Sequence, residues 1–102
     1  MKSYTKIYLD FFGYSTADVI MCECGCGRVA TDIHHLVPKS LNKALINAIE
    51  NLCALARICH DRADKDRVFN AELKEIHRRN CLKNGTQLAP MERYFKPQPN
   101  EP

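Results

Sequence analysis

The chain has 102 residues, with 15 Lys and Arg against 12 Asp and Glu, which gives a formal net charge of +3. This length predicts one domain, over residues 1–95, and the slight basic excess permits nucleic-acid binding without requiring it. No segment approaches the roughly 20 apolar residues of a membrane span, and the N-terminus lacks the apolar region of a secretory signal. We therefore expect a soluble protein of the cytoplasm that has no membrane partner.

The first 27 residues predict a helix and then a tight turn. Apolar and aromatic side chains recur at helical spacing, at Tyr4, Ile7, Tyr8 and Phe11. The helix should end near Gly13, since glycine commonly follows the last helical residue. We expect the aromatic side chains to pack on the core rather than to stack on bases. Residues 21–27, MCECGCG, predict a turn rich in cysteine and glycine.

The middle of the chain predicts a β-hairpin. Residues 28–37, RVATDIHHLV, contain the β-branched side chains typical of a strand, and Pro38 closes that strand. Residues 39–50 predict a loop that contains a short helical piece. Residues 51–56, NLCALA, predict the second strand of the hairpin.

Two helices are predicted after the hairpin. The first lies within residues 59–69, and the second covers about residues 70–82, with Leu73 and Asn80 on one face. The end of the chain is rich in proline and polar residues, so residues 96–102 should form a flexible tail.

Three short segments, DIHHL, ENL and CHDRAD, carry residues suited to phosphodiester hydrolysis. That reaction needs a water in line, a base, and a cation that stabilises charge on the phosphate. Because neighbouring strand residues point to opposite faces, one of His34 and His35 can face a metal while the other faces the substrate. Asn51 can hydrogen-bond across the hairpin and hold His35 in place. His60 and Asp64 lie four residues apart, on one face of a helix and at a spacing that suits chelation.

These motifs, in this order, resemble the HNH endonuclease family of ββα-metal nucleases. The matching segments are DIHHLVPKS and IENLCALARICHDRAD, and the segments YLDFFGYSTADVIMCE and LKEIH are similar to a small phage and bacterial subgroup. The resemblance extends over almost all of the chain up to about residue 80. It implies an α+β fold, with a hairpin-plus-helix core, flanking helices and a zinc-binding cysteine turn. It also implies metal-dependent hydrolysis of double-stranded DNA, by nicking or by double-strand cleavage.

The resemblance implies a role for each matched residue. His35 would be the general base that activates water, and Asn51 would be the structural asparagine of the motif. Four side chains would form the catalytic site for Mg²⁺ or Mn²⁺: His34, His60, Asp64 and Asp32. Within that set, Asp64 occupies the position of a third ligand, and Asp32 is either a ligand or a group that orients one.

Many family members also hold a structural zinc ion between two C-x-x-C pairs, and this sequence departs from that pattern. Five cysteines flank the hairpin: Cys22, Cys24, Cys26, Cys53 and Cys59. Ala56 stands where the partner of Cys59 is expected, and Cys53 has the opposite strand parity. Three alternatives follow: the first three cysteines join Cys59, or Cys53 reaches the site through a bulge, or no zinc binds and the thiols are free. Cys81 lies outside both groups, as an ordinary thiol.

Lys39 and Arg62 adjoin the motif and are the candidate contacts to DNA phosphates. The other cations of the second half either contact DNA or form a solvated helix face with neighbouring glutamates. Double-stranded DNA is thus the expected partner, in a bacterial host cell. Phage proteins, such as those of DNA packaging, are further partners compatible with the resemblance.

Two other functions fit parts of the sequence. One is a catalytically silent scaffold of the same fold, stabilised by zinc, which binds DNA or a phage protein without cutting. The other is a zinc-ribbon-like interaction domain, which leaves the paired histidines unexplained. The intact His35, Asn51 and His60 favour the nuclease.

Overall fold

The computed structural model describes residues 1–84 of the chain, which form three α-helices and a two-stranded antiparallel sheet. The elements are α1 (Ser3–Phe12), β1 (Asp32–His35), β2 (Leu52–Leu55), α2 (Arg57–Lys65) and α3 (Arg67–Lys83). Two 3₁₀ turns, Lys43–Leu45 and Ile49–Asn51, lie between the strands. The predicted tail, residues 96–102, and the last part of the predicted domain lie outside the described residues. Within the described part, every helix is too short or too polar to cross a membrane.

The hairpin is shorter than the sequence predicts. β1 and β2 pair in a regular antiparallel register from Asp32 opposite Leu55 to His35 opposite Leu52. The first half of the predicted strand pairs elsewhere: Val29 forms an isolated bridge with Met21, on the other side of the cysteine turn. The predicted strand over residues 28–37 is therefore divided between two partners, and this division closes the cysteine turn onto the hairpin.

The N-terminal helix ends where the sequence predicts. α1 finishes at Phe12, and Gly13 takes a left-handed φ of 76° while its N–H donates to the Asp10 carbonyl. A residue with a Cβ adopts that conformation only at a cost, which is why glycine stands there.

Both faces of β2 are covered, so that all four of its residues are buried. Leu52 and Ala54 pack in one cluster with Tyr8 of α1. Cys53 and Leu55 point the other way and pack in a second cluster with α2 and α3. The period-2 alternation of a strand thus places α1 on one side of the sheet and the later helices on the other.

The helices after the hairpin divide at a different residue from the one predicted. The predicted first helix, residues 59–69, in fact ends at Lys65. Asp66 separates it from α3, and the Asp66 carboxylate accepts hydrogen bonds from the backbone N–H groups of Val68 and Phe69. Such a side chain caps a new helix, so the chain starts α3 there instead of continuing α2.

A buried carboxylate ties the elements together. Glu23, within the cysteine turn, accepts four hydrogen bonds: from Tyr8 Oη at 2.8 Å, the Ala54 N–H at 2.9 Å, His77 Nδ1 at 2.8 Å and Asn80 Nδ2 at 2.9 Å. The donors come from α1, β2 and α3. One side chain therefore connects the turn to three elements that are distant in sequence.

The His77 ring carries a positive charge in this setting. Its Nδ1 faces the Glu23 carboxylate and its Nε2 lies 2.7 Å from the Ile49 carbonyl oxygen. Both of these partners accept, so both ring nitrogens must carry a proton. Burial alone would lower the pKa of His77, but the hydrogen bonds with Cys81 and Glu23 and the charge of Glu23 raise it to about 10. Burial would raise the pKa of Glu23, yet its bonds with His77 and Asn80 hold it below 4.5.

This pair predicts how stability depends on pH. Because the folded-state pKa of His77 lies above its ordinary value, its contribution is complete below about pH 6.5 and is lost as the pH rises toward 10. His77→Gln should cost about 3–5 kcal/mol at neutral pH. The variant should also lose the slope of unfolding free energy against pH that His77 produces. This slope is up to about 1.4 kcal/mol per pH unit between pH 7 and 9. Urea unfolding of both proteins, followed by circular dichroism across this range, measures both effects.

Asn80→Ala is the matched control, because it removes a donor to Glu23 but leaves the charge pair. It should lower stability by a smaller amount and retain the pH slope of the unsubstituted protein. If His77→Gln also retained that slope, His77 would be neutral in the folded chain and the ion pair would be wrong.

Candidate functional site

An open cleft of about 740 Å³ lies between the hairpin, the loop that follows β1, and the helices α2 and α3. Four of the residues predicted for the catalytic and metal site line it together: His34, His35, His60 and Asp64. Lys39 of the loop, a predicted DNA contact, and Tyr4 of α1 also line it. Residues that are widely separated in sequence therefore meet at one surface.

Three side chains in the cleft form a group that could hold a metal ion: His34, His60 and Asp64. One ligand atom from each lies within 4.8 Å of the others. The Asp64 carboxylate lies 3.8 Å from His34 Nδ1 and 3.7 Å from His60 Nε2. Two imidazole nitrogens and a carboxylate oxygen are a common donor set for divalent cations.

Hydrogen bonding turns the free nitrogen of His34 toward that group. Asn70 Nδ2 donates to the Leu36 carbonyl at 2.9 Å, which leaves Asn70 Oδ1 to accept from His34 Nε2 at 2.8 Å. The proton of the neutral ring is thus held on Nε2, and the Nδ1 lone pair faces Asp64. Burial lowers the pKa of His34, which favours this neutral form.

Asp32 does the same for His60. The Asp32 carboxylate accepts a hydrogen bond from His60 Nδ1 at 2.8 Å. It also forms an ion pair with Arg57, whose Nε lies 3.1 Å away. Burial would raise the pKa of Asp32, but the hydrogen bonds from His60 and Thr31 and the charge of Arg57 lower it, so it stays ionised. Asp32 therefore orients the His60 ring and lies outside the three-residue group, an arrangement that corresponds to the second of the two roles that the sequence left open.

His35 has partners on the other side of the strand. Its Nε2–H donates to the Ile46 carbonyl at 3.0 Å, and its ring meets Tyr4 edge-on at a centroid distance of 4.7 Å. A carbonyl only accepts, so the neutral ring keeps its lone pair on Nδ1. Burial lowers the pKa of His35, which keeps it in this neutral form at neutral pH. Adjacent histidines thus present free nitrogens with different surroundings to one cleft.

Asn51 closes the loop between the strands. It is fully buried, and its side chain accepts from the Val37 N–H at 2.7 Å while donating to the carbonyls of Val37 and Leu45, each at 3.1 Å. The sequence predicts that Asn51 holds His35 across the hairpin. The structure shows an indirect route, because Ile46, whose carbonyl accepts from His35, directly follows Leu45.

A second group that could hold a metal ion consists of four cysteines: Cys22, Cys24, Cys26 and Cys59. Their sulfur atoms are 3.3 Å apart for Cys22 and Cys24, 3.4 Å for Cys24 and Cys59, and 3.6 Å for Cys26 and Cys59. A tetrahedral zinc ion with Zn–S bonds of about 2.3 Å separates its sulfurs by roughly 3.8 Å, which is close to this spacing. The geometry therefore corresponds to the alternative in which three turn cysteines join Cys59.

Charge also favours a cation at this group. Burial raises the pKa of Cys24 and that of Cys59, whereas the Arg28 backbone N–H lowers the pKa of the exposed Cys26 to about 6. Buried thiols become thiolate ligands readily only when a cation compensates their charge.

Cys53 lies apart from the four-cysteine group. β2 keeps its regular register at Cys53, opposite His34, without the bulge that would turn the thiol toward the group. Cys53 instead faces Glu23 and His77 inside the core. That trio lacks a free imidazole nitrogen for a metal, because both nitrogens of His77 are hydrogen-bonded. Cys81 also packs beside His77, 3.5 Å from Nε2.

The two predicted DNA contacts are separated in the structure. Lys39 lines the cleft, with its ammonium 5.0 Å from the centre of the Tyr4 ring. Arg62 lies beside the four-cysteine group, stacked 4.0 Å from the centre of the Phe69 ring and paired with Asp66 at 3.8 Å. The structure therefore brings Lys39 but not Arg62 to the residues that carry the chemistry.

Three residues of α3 line the cleft: Arg67, Asn70 and Lys74. The sequence left Arg67 and Lys74 as either DNA contacts or part of a solvated helix face, and it did not single out Asn70. Their spacing of three and then four residues puts them on one helical face, and this was the available signal. Without knowing which face of α3 meets the hairpin, that spacing does not distinguish a site wall from a solvated surface.

Comparison with known proteins gave no relative. No family model, no curated protein and no solved structure matches the chain. The function is therefore inferred from the geometry of the two candidate metal groups and of the cleft.

The four-cysteine group predicts a bound structural metal. We expect the purified protein to retain about one zinc ion per chain through dialysis, because four thiolates enclose zinc in a closed tetrahedral site. Cys24→Ser should release the zinc and lower the melting temperature. Elemental analysis and thermal unfolding of the same samples measure both effects.

Cys53→Ala and Cys81→Ala are the controls for this assignment, because both thiols are buried outside the group. Both variants should keep their zinc. Loss of zinc from Cys53→Ala while the protein remained folded would place Cys53 among the ligands. Metal-free protein of unchanged stability would show that the thiols are simply free.

Proposed function

We propose that the chain is a metal-dependent endonuclease of the HNH, or ββα-metal, class that hydrolyses phosphodiester bonds in DNA. The observation that carries this proposal is that two neighbouring histidines have different partners in one cleft. His34 directs its Nδ1 lone pair toward Asp64, whereas His35 lines the same cleft with its Nε2 proton held by the Ile46 carbonyl, which leaves Nδ1 able to accept a proton. A cation site beside a separate base is the arrangement that phosphodiester hydrolysis requires.

The three-residue group suits a divalent cation. His34 and His60 each donate one ring N–H, to Asn70 Oδ1 and to the Asp32 carboxylate respectively, so the other nitrogen is fixed in orientation. Asp64 supplies a charged oxygen between them. A bound Mg²⁺ or Mn²⁺ ion would stabilise negative charge on the phosphate and on the leaving oxygen.

His35 would act as the general base. Nδ1 takes a proton from a water molecule, whose oxygen forms a bond to phosphorus as the bond from phosphorus to the leaving oxygen breaks. The Ile46 carbonyl holds the Nε2 proton, which fixes the tautomer and favours the imidazolium that results. Asn51 supports this step by holding the loop that carries Ile46.

The cysteine group supports a second candidate function, a zinc-stabilised module that binds DNA or a protein without cutting. A metal bound by these four thiols would stiffen the turn and α2 whether or not the cleft hydrolyses anything. A zinc-loaded protein that binds DNA but leaves it intact with every divalent metal would favour this function over the nuclease.

The base assignment predicts a selective loss in His35→Ala. This variant should fold, bind metal and bind DNA, but cut about a hundred- to ten-thousand-fold more slowly, since that is the usual contribution of a general base. The measurement is the rate of plasmid nicking with added Mn²⁺ or Mg²⁺. Normal cutting by folded, metal-bound His35→Ala would show that another group accepts the proton.

The metal assignment predicts a different defect in Asn70→Ala. Loss of the hydrogen bond that orients His34 should weaken the catalytic metal about 10–100-fold, so that the rate recovers at higher Mn²⁺. Nicking rates measured against Mn²⁺ concentration show this as a shift of the curve. His34→Ala should shift it further, whereas His35→Ala should lower the plateau and leave the midpoint in place. A midpoint unchanged in both Asn70→Ala and His34→Ala would contradict the proposed metal site.

A further inference from the structure

The cations of the described residues differ in whether an acid neutralises them. Outside the cleft, several are neutralised by nearby acids: the pairs are Lys6–Asp10, Arg57–Asp32, Arg62–Asp66, Arg78–Glu75 and Arg79–Glu75. The three cations that line the cleft, Lys39, Arg67 and Lys74, form no ion pair within residues 1–84. Asp64 is the one acid among the described residues that line the cleft. The cleft therefore carries three cations against one acid, and so an excess of positive charge beside the candidate metal group.

Two of these cations lie on α3 in a regular arrangement. Arg67 and Lys74 are seven residues apart, which is two turns and about 10.5 Å along the helix axis. Asn70 lies between them on the same face and holds His34. The three-residue metal group is therefore flanked by one cation on each side along α3.

This spacing suits a chain of phosphates. The two side chains leave the helix about 10.5 Å apart along its axis, so separate phosphates of one backbone can contact them at the same time. Arg67 can hold a phosphate through two N–H groups at once, and Lys74 can hold another as a point charge. The cleft is open, as an extended polymer requires.

We propose that α3 forms one wall of the DNA-binding cleft, on which Arg67 and Lys74 contact backbone phosphates on either side of the phosphate to be cleaved. The proposal rests on DNA being the substrate of the proposed nuclease. Arg62, a DNA contact expected from the sequence, faces the cysteine group, whereas Arg67 and Lys74 line the cleft. α3 would then bind DNA as well as pack against the core.

The test is the salt dependence of DNA binding. Fluorescence anisotropy with a short mixed-sequence DNA duplex, without added Mg²⁺ or Mn²⁺ and over a series of NaCl concentrations, gives the slope of log Kd against log salt. Arg67→Gln and Lys74→Gln should each reduce this slope by roughly 0.9, and the double variant by roughly twice that amount. Each lost contact then makes Kd about eightfold less sensitive to a tenfold change in salt.

Arg79→Gln is the matched control, because it removes the same charge from the same helix but from a residue paired with Glu75. It should leave the slope unchanged. Equal reductions for Arg67→Gln and Arg79→Gln would mean that only the overall charge matters, and an unchanged slope for Arg67→Gln and Lys74→Gln would also overturn the proposal. Nicking measured in parallel separates the two ideas: a protein that cuts with unchanged slopes refutes only the α3 contacts, and one that binds through them without cutting refutes only the nuclease.

Discussion

The ion pair between Glu23 and His77 is the contact on which the rest of the structure depends. Glu23 stands between two of the four clustered cysteines, and its carboxylate fixes the position of their turn against β2. His77 anchors the middle of α3 at the same point, and about two turns of regular helix connect it to Asn70 at the cleft. Because Asn70 on that helix holds the ring of His34, the placement of α3 determines where the candidate metal ligand points. A buried charge pair so well supplied with donors favours one arrangement of these elements over others.

Because side chains alternate along a strand, neighbouring residues of the hairpin have different partners. Adjacent positions of β1 carry His34 and His35, and the fold gives the first a helix side chain and the second a loop carbonyl as partner. Each partner holds the ring proton on Nε2, so both histidines keep the lone pair on Nδ1 and differ in what surrounds that nitrogen. The same alternation on β2 divides the core into two clusters, one under α1 and one under the later helices.

Local signals in the sequence identified the features that depend on neighbouring residues. The end of α1 at Gly13, the opposite orientation of His34 and His35, and the proximity of His60 to Asp64 all follow from periodicity over a few residues. The division between α2 and α3 was predicted wrongly although its cause, the cap at Asp66, is local. The other features that were wrong or missed depend on distant contacts. The first strand is short because Val29 pairs with Met21 across the cysteine turn, and Glu23 and His77 are 54 residues apart. A charged residue in a turn and a histidine on a helix each look like surface residues until the fold brings them together.

The order of two residues in α2 has a consequence for both candidate metal centres. Cys59 belongs to the four-cysteine group, and the next residue, His60, belongs to the three-residue group in the cleft. A single peptide unit within a rigid helix therefore joins them, with no flexible link to absorb a displacement. If an ion at the cysteines fixes the first turn of α2, His60 has less conformational freedom to lose when a second ion binds in the cleft. The cleft then binds its ion more tightly. By thermodynamic reciprocity, the ion in the cleft would raise the affinity of the cysteines for their own ion by the same factor.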